Sequence, residues 1–311
     1  MKILITGGLG FIGHTLVRRL VGDGAQVRIL DNLSNAAVNP ESLLTLGCDF
    51  IEGDIRNREL CDAVAAGMDG IVHLAGQTNV LHSIEHPMED MEINVRGTLN
   101  LLEAARRCRV NRFVFASSNG VVGEREPPMH EKMLPIPLSP YGCTKLMGEY
   151  YSRAYHALYG LQSVSLRFAN VYGPGSVRKG SVVAKYLKHV INGEELIVFG
   201  DGEQTRDFVY IDDLVDGIVR ALRVEQGGAV FCLGSGVETS VNRLVALLRA
   251  EVEPDIGRRL TVVHQPARNG EIIRNYSDIS LARKVLGFAP SVTVKEGVCA
   301  TWRWFKNAGR T

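Results

Sequence analysis

The chain has 311 residues, 45% of them hydrophobic, ample for one large domain or two coupled ones. A net charge of +1 and a pI near 7.7 argue against nucleic acid or an anionic membrane as the main partner. No apolar run of about 18 residues occurs, so no transmembrane helix is expected.

The first element is a short apolar run, Met1 to Thr6, with no polar face, as in a parallel strand covered on both sides. It meets Gly7, Gly10 and Gly13, spaced three apart, and an amphipathic run from His14 to Val21. That is strand, tight turn and helix. Gly7 lets the chain turn sharply, Gly10 lets backbone approach a ligand, and Gly13 lets helix and strand touch. Free N–H groups at the helix start, with the helix dipole, suit a pyrophosphate. Taken alone, the triplet fits an ordinary turn equally well. Lys2 and the apolar run after it imitate a signal peptide, but the glycines and the lack of a small-residue cleavage site argue against one.

Val27–Asp31 is a second strand, ending in an acid 18 residues after Gly13. A ribose-binding carboxylate belongs there in a dinucleotide-binding βαβ unit. It would accept hydrogen bonds from both ribose hydroxyls and repel a 2′-phosphate, which favours NAD over NADP. The plainer alternative for Asp31 is a turn or helix cap. Asn32–Asn35 is a polar loop able to close over the adenosine. Asp49–Arg56 is a third strand running into a turn, where Asp54 either caps the next helix or contacts adenine. Gly70–Gly76 is a fourth strand, ending in small residues where a cofactor would lie close. His73 within it reads as a satisfied core histidine.

Met91, Val95, Leu99, Leu102 and Ala105 recur at helical spacing and predict a helix over 87–107. Asn94 is unfavourable inside it, so it holds either backbone or cofactor. Arg112–Ala116 is the next strand, ending at Ser117 and Ser118, where such sheets bind ligand. A proline-rich loop, Pro127 to Pro140, leads to Tyr141 and Lys145. Pro140 suits a helix start, and residues four apart share a helix face. A tyrosine of pKa about 10 is a poor base near neutrality. A nearby ammonium stabilises the phenolate, and a positive nicotinamide ring would help further. Ser118 could orient the same substrate hydroxyl and share its proton. The plainer alternative is an exposed Tyr–Lys pair. The six cysteines, Cys48, Cys61, Cys108, Cys143, Cys232 and Cys299, show no CxxC and no metal-ligand spacing. They predict reduced thiols, a cytoplasmic location and no metal site.

Beyond these residues stand longer matches: Asp31-Asn32-Leu33-Ser34-Asn35, Gly53-Asp54-Ile55, His73-Leu74-Ala75-Gly76, Asn94-Val95-xx-Gly97-Thr98, Arg167 to Pro174, Gly200-Asp201-Gly202-xxx-Arg206-Asp207-Phe208-Val209-Tyr210 and Pro266-Ala267-Arg268-xx-Gly270-Glu271. With them the chain resembles the extended short-chain dehydrogenase/reductases, and within these the nucleotide-sugar epimerase/dehydratase family, nearest the UDP-galactose (UDP-glucose) 4-epimerases. The likeness runs from Gly7 to about Trp304.

The resemblance implies a Rossmann-type doubly wound parallel α/β sheet with a smaller mixed α/β substrate domain. Residues 1–170 would bind NAD, with about 207–235 returning to that domain, and 171–311 would bind substrate. It assigns Gly7, Gly10, Phe11, Ile12 and Gly13 to the pyrophosphate, and Asp31, Asn32, Ser34 and Asn35 to the adenosine ribose. Asp54 and Ile55 fall at adenine, Leu74, Ala75, Gly76 and Asn94 along the cofactor, and Phe168 at the nicotinamide end. Ser118, Tyr141 and Lys145 match the catalytic trio. Asn170, Ser181, Val182, Phe199, Arg206 and Arg268 match positions that hold the substrate's nucleotide diphosphate. A residue that gates the sugar pocket falls at Asn275, or at Tyr276 if the count slips by one.

Departures from the family narrow the reaction. Val122 replaces a common tyrosine and bears on local packing. Asn119-Gly120 stand where 4,6-dehydratases carry an Asp-Glu pair and uronate decarboxylases a glutamate. Arg178 and Lys179 lie where uronate-handling relatives place a cation, although solvated loop charge is the plainer reading. The expected activity is C4 epimerisation of a UDP-hexose, UDP-N-acetylhexosamine or UDP-uronate, with NAD as cofactor and a homodimer as the default assembly. The alternatives are a dehydratase, decarboxylase or reductase on the same scaffold and, from a different class, an inactive NAD-binding regulator. Intact Ser118, Tyr141 and Lys145 speak against the last.

Overall fold

The computed structural model describes residues 1–267 and 272–308. The first stretch alternates β1 (Lys2–Thr6), α1 (Phe11–Gly22), β2 (Gln26–Asp31), α2 (Glu41–Leu44), β3 (Asp49–Glu52), α3 (Arg58–Ala65) and β4 (Gly70–His73). Next come α4 (Val80–Glu85), α5 (Pro87–Met91), α6 (Gly97–Arg107), β5 (Arg112–Ser118), α7 (Pro140–Tyr159) and β6 (Gln162–Phe168). The remainder is β7 (Asn170–Tyr172), α8 (Val182–Asn192), β8 (Leu196–Phe199), β9 (Thr205–Tyr210), α9 (Ile211–Ala221), β10 (Ala229–Leu233), β11 (Glu238–Ser240), α10 (Val241–Ile256), β12 (Val262–Gln265), α11 (Ser280–Leu286) and α12 (Val294–Ala308).

Seven strands form one sheet in the order β10-β6-β5-β4-β1-β2-β3, every neighbouring pair parallel. β1 is buried from Ile3 onward and β4 throughout, because helices cover both faces. Strand order reverses between β1 and β4. Crevices at such a switch point, outside the carboxyl ends of the strands, are where open α/β sheets bind ligands.

The helix expected over 87–107 is helical throughout, but it widens into a π-turn at Glu92–Arg96. Asn94 sits in that turn. π-turns are uncommon and recur at functional sites. α7 starts as its sequence dictates: Ser139 Oγ accepts the Gly142 N–H at 3.1 Å, and Pro140 fills the first turn. Gly148 lets α7 lie directly on the Phe115 ring of β5; a Cβ there would overlap it.

Beyond β6 a smaller region holds a three-stranded sheet, β11-β9-β7, and a parallel pair, β12-β8. Its buried residues, among them Tyr172, Phe208, Leu248 and Phe305, run into the core of the main sheet without a break. α9 packs against α1, and β10 joins the main sheet, while β9 stays with the small one. Among the described residues, no helix is long and apolar enough to cross a membrane.

Candidate active site

The start of α1 has no side-chain cap at Gly10, so the first-turn N–H groups lack intrahelical partners. Each glycine of the loop has a distinct reason. Gly7 has φ +72°, and a Cβ there would lie 2.7 Å from the Ala75 nitrogen. A Cβ on Gly13 would overlap the Gly7 carbonyl oxygen. On Gly10 it would meet only that oxygen, at 3.3 Å, so the outer side of this residue is open.

Asp31 ends β2 against this loop. Its Oδ2 accepts from the Leu9 N–H and its Oδ1 from the Leu33 N–H, both at 2.9 Å. A carboxylate has about four acceptor positions, so capacity remains for two ribose hydroxyls. Asn32 donates to Asp54 Oδ2 at 2.9 Å, and its Oδ1 accepts from Ser34 Oγ at 2.7 Å. Asn35 is exposed beside them, and Ile55 is buried. Asp54 pairs with Arg56 at 2.8 Å, and that bond holds its carboxyl down to about 2. Asp54 does not cap the next helix; Asn57 does, through Leu60.

The loop after β4 closes the other side. The Leu74 N–H donates to the Thr6 carbonyl at 3.1 Å and the Ala75 N–H to Thr6 Oγ1 at 3.3 Å. Gly76 packs against the π-turn and α7: a Cβ there would sit 2.8 Å from Asn94 Oδ1 and 3.3 Å from Lys145 Nζ.

Ser118, the last residue of β5, pairs in register with Phe168 of β6. Its hydroxyl accepts the Gly120 N–H at 3.1 Å, and a Cβ built on Gly120 would lie 3.4 Å from that oxygen and 3.8 Å from the Tyr141 ring, so the two side chains border one space. Lys145 is 4% exposed. Its Nζ donates to the Ala116 carbonyl at 3.0 Å and stands 5.9 Å from the centre of the Tyr141 ring. Burial pushes the lysine down to about 8, opposed by the Asp90 carboxylate. Burial raises the Tyr141 phenol above its usual value; Ser118 pulls it down and Asp90 pushes it further up. The expected lowering of Tyr141 by Lys145 is therefore corrected. One ammonium proton is committed to the Ala116 carbonyl, and burial dominates the phenol.

Behind the trio lies a polar layer that reading the sequence missed. Asp90, fully buried, accepts from Thr144 Oγ1 at 2.7 Å, Gln77 Nε2 at 2.9 Å and Asn94 Nδ2 at 3.0 Å. Asn94 Oδ1 accepts the Gln77 N–H at 3.0 Å and Asn94 Nδ2 donates to the Gln77 carbonyl at 3.0 Å. Of the two roles foreseen for Asn94, holding backbone is the one these bonds perform. Glu149, one turn beyond Lys145, forms a bidentate pair with Arg167 at 2.8 and 2.9 Å, both side chains 3% exposed, and accepts from Ser117 Oγ at 2.5 Å. That pair fixes α7 to β5 and β6. For this pair a signal existed in the sequence: an arginine, Arg167, flanked by apolar residues.

On the substrate side, Asn170 opens β7 opposite Phe208. Ser181 stands at the N-terminus of α8 before Val182, makes no side-chain cap, and has a buried Oγ with no hydrogen-bond partner. Phe199 ends β8, with Lys185 Nζ 5.8 Å from its ring centre. Arg206 Nη1 donates to the Thr205 and Ile272 carbonyls at 2.7 and 2.8 Å. Next to it, buried Asp207 accepts from Ser235, Gly236 and Ser277, tying two loops to β9. Asn275 is 8% exposed with an unpartnered Oδ1; Tyr276 is half-buried. Their segment reaches the catalytic strand end through Asn119 Nδ2, which donates to Ser277 Oγ at 2.8 Å. Arg268 and Glu271 lie outside the described residues.

Two departures noted in the sequence are resolved. Val122 is fully buried with Val121 and Met129, so an apolar side chain packs well there. Arg178 is exposed loop charge, but Lys179 turns inward. Its Nζ donates to the Val171 carbonyl at 2.9 Å and lies 5.3 Å from the Phe11 ring centre, and burial pushes it down to about 8. The uncapped helix, the open side of Gly10 and the spare acceptors of Asp31 fit a dinucleotide. The unpartnered oxygens of Ser181 and Asn275 leave acceptor capacity that a polar ligand could use. Among the described residues no His, Cys, Asp and Glu cluster could hold a metal.

Residues 3–234 match the model of the NAD-dependent epimerase/dehydratase family. A protein of Methanocaldococcus jannaschii named as a putative UDP-glucose 4-epimerase is 38% identical over 317 residues, covering 99% of this chain and 100% of its own. The UDP-glucose 4-epimerase of Thermotoga maritima, solved with UDP-glucose, superposes with a TM-score of 0.92 at 36% identity, covering 99% of both chains. The UDP-glucuronic acid 4-epimerase of Bacillus cereus, solved with UDP-glucuronic acid and NAD, has a TM-score of 0.88 at 32% identity, covering 99% of this chain and 100% of that one.

Proposed function

The chain belongs to the NAD-dependent epimerase/dehydratase family, and from that premise we propose that it inverts C4 of a UDP-linked hexose, N-acetylhexosamine or uronate through a transient 4-keto sugar. The observation that carries this reading is that Ser118 and Tyr141 border one space at the carboxyl edge of the sheet, with Lys145 buried behind them.

Tyr141, as phenolate, takes the C4 hydroxyl proton, and Ser118 bonds the same oxygen and orients it. NAD held there would supply reversible hydride acceptance at C4, so that inversion leaves no net oxidation. Gly7, Gly10 and Gly13 bring backbone N–H groups to its pyrophosphate, and Asp31 holds its ribose. Tyr141 gives the proton back once the ketone has turned over. The chain must therefore grip the diphosphate and leave the sugar free to rotate. Asn170, the α8 N-terminus at Ser181 and Val182, and Arg206 supply that grip, with Arg268 as a second guanidinium, Phe199 alongside and Asn275 at the sugar. Guanidinium suits phosphate because it donates two parallel bonds.

Dehydration would need acids at C5 and C6. Gly120 has no side chain, and the Asn119 amide, whose NH2 donates to Ser277, is no acid, which leaves epimerisation as the better reading. Residues 1–170 with 211–235 then form the NAD-binding unit and the rest the substrate unit. Leu81, Ile84 and Met88 on α4 and α5 are 64%, 56% and 68% exposed, beside Met147 and Tyr150 of α7. Apolar exposure of this kind supports a homodimer across these helices. The six unpaired thiols support a reducing, cytoplasmic setting.

The test is incubation of purified protein with a panel of UDP-sugars, with NMR of the products. Two C4 epimers should equilibrate without lasting NADH. Net NADH or loss of CO2 would instead mark another enzyme of the scaffold. Tyr141→Phe should abolish turnover and keep NAD bound; an active variant sinks the mechanism.

A further inference from the structure

We propose that Asp90 is a positioning residue for this reaction: its buried carboxylate gathers the π-turn, the Gly76–Gln77 loop and the catalytic helix onto one anion, and so fixes where Tyr141 and Lys145 sit and the field they share. The inference rests on the epimerase reading above.

The geometry is specific. Asp90 is 0% exposed, yet it is an acid on a helix of the main domain. A buried carboxylate is costly unless donors surround it. Here three side chains from three segments do so: Thr144 on α7, Asn94 in the π-turn and Gln77 in the loop after β4. Thr144 lies between Tyr141 and Lys145 on their helix, and its hydroxyl also contacts the Tyr141 carbonyl at 3.0 Å. Displacing Thr144 would displace both catalytic groups. An amide fits only with its oxygen toward Asn94 and Gln77 and its NH2 toward Thr144 Oγ1, whose proton then turns to the Tyr141 carbonyl, so Asp90→Asn removes the charge and reverses one hydrogen bond.

The charge has a second consequence. Among the described residues no carboxylate lies within 4 Å of Lys145 Nζ, and Asp90 is the acid whose field favours its protonation. The same field opposes ionisation of Tyr141. Other ionisable groups nearby leave this balance intact. His73 of β4 faces Lys145 but is held neutral by burial. On the Asp90 side, Glu89 pairs outward with His82 at 3.1 Å and Glu92 with Arg96 at 2.9 Å, while His86 is exposed. One anion thus moves both catalytic groups in the same direction. With it removed, Tyr141 ionises more easily and Lys145 loses its proton more easily.

Asp90→Asn and Thr144→Val, each as the NAD-bound protein, separate the two roles. Tyr141 ionisation is read from phenolate absorbance with Tyr141→Phe as the blank, beside the pH profile of kcat/KM for epimerisation. Asp90→Asn should move the phenolate titration and both limbs of the profile to lower pH by about half a unit or more. Thr144→Val keeps the charge, so its limbs should stay in place while kcat falls about tenfold. A folded, NAD-bound Asp90→Asn with an unmoved titration overturns the proposal. Thr144→Val with wild-type kcat also overturns it, and that variant remains readable if Asp90→Asn does not fold. Wild-type protein with no epimerase turnover would refute the functional reading alone, because the phenolate titration needs no substrate.

Discussion

Acidification should destabilise the protein through His73. This histidine is 1% exposed, and its hydrogen bonds have a fixed direction. Thr98 Oγ1 donates to the Asn94 carbonyl at 2.5 Å, so it accepts from His73 Nε2–H at 3.0 Å. Thr6 Oγ1 accepts from the Ala75 N–H and donates to His73 Nδ1 at 2.8 Å. The ring is therefore the neutral Nε2–H tautomer. A second proton on Nδ1 would face a hydroxyl proton in a buried site already near the Lys145 ammonium. Burial first, then Lys145, lowers its pKa from 6.5 to about 3. A histidine depressed in the folded state binds its proton more readily when unfolded. Its stabilising contribution is therefore complete above about 6.5 and is lost as pH falls from there toward about 3. At about 1.4 kcal/mol per unit of difference, lowering the pH from 7.5 to 5 costs about 2 kcal/mol through this residue. The assay is urea unfolding of wild type and His73→Gln at several pH values in that range, at one NAD concentration. His73→Gln starts less stable but should lose about 2 kcal/mol less on acidification. Parallel stability–pH curves for the two proteins would refute the buried neutral histidine.

The glycine loop gives a contrast. Gly13→Ala places a methyl against rigid backbone at Gly7 and Gly8 and should cost about 2–3 kcal/mol of stability, read by urea unfolding. Gly10→Ala meets only one oxygen at 3.3 Å; it should fold normally and lose about tenfold or more in NAD affinity by titration calorimetry. Glu149→Gln leaves the Arg167 guanidinium buried without its charge partner and should cost about 3–5 kcal/mol; a Tm within a degree of wild type would contradict this. Ile84→Glu, on the exposed apolar face of α4, should shift the protein from dimer to monomer in light scattering at micromolar concentration.

The parts of this molecule that were legible in the sequence depend on short-range rules. The strand, glycine turn and helix at the start are local chemistry, as is Ser139-Pro140 opening the helix that carries Tyr141 and Lys145. Parallel strands apolar on both faces predict a covered sheet before any pairing is known. His73 was legible for the same reason: a lone polar residue in a fully buried strand must be satisfied in place. What stayed hidden depends on contacts between distant segments. Asp90 reads as one more acid in a polar helix start, and only the approach of Thr144, 54 residues away, makes it an active-site anion. The π-turn is invisible to a count of helical spacing, because one extra residue per turn barely disturbs the pattern. Lys179 looked like loop charge, because nothing local shows that Gly175 brings its loop down onto Phe11 and His14.

Sugar selectivity is the extreme case. The sequence places Asn119 beside the catalytic serine and Asn275 far downstream, with nothing to relate them. In the fold, Asn119 bonds Ser277 across 158 residues of sequence, and the Met129 backbone bonds Tyr276 and Asp278 on the same segment. The two segments thus form one unit. Asn119 and Asn275 are both buried in it and each carries an unsatisfied oxygen, whereas Tyr276 contributes backbone to the same seam. A residue that borders a cleft with an unpaired polar atom selects by what it can bond. Under the proposed function, exchange at 275 should change which sugar is accepted. Asn275→Tyr should discriminate against N-acetylated substrates more than against plain hexoses. Equal loss on both, measured as kcat/KM with matched UDP-sugars, would place the selecting contact elsewhere in the cleft.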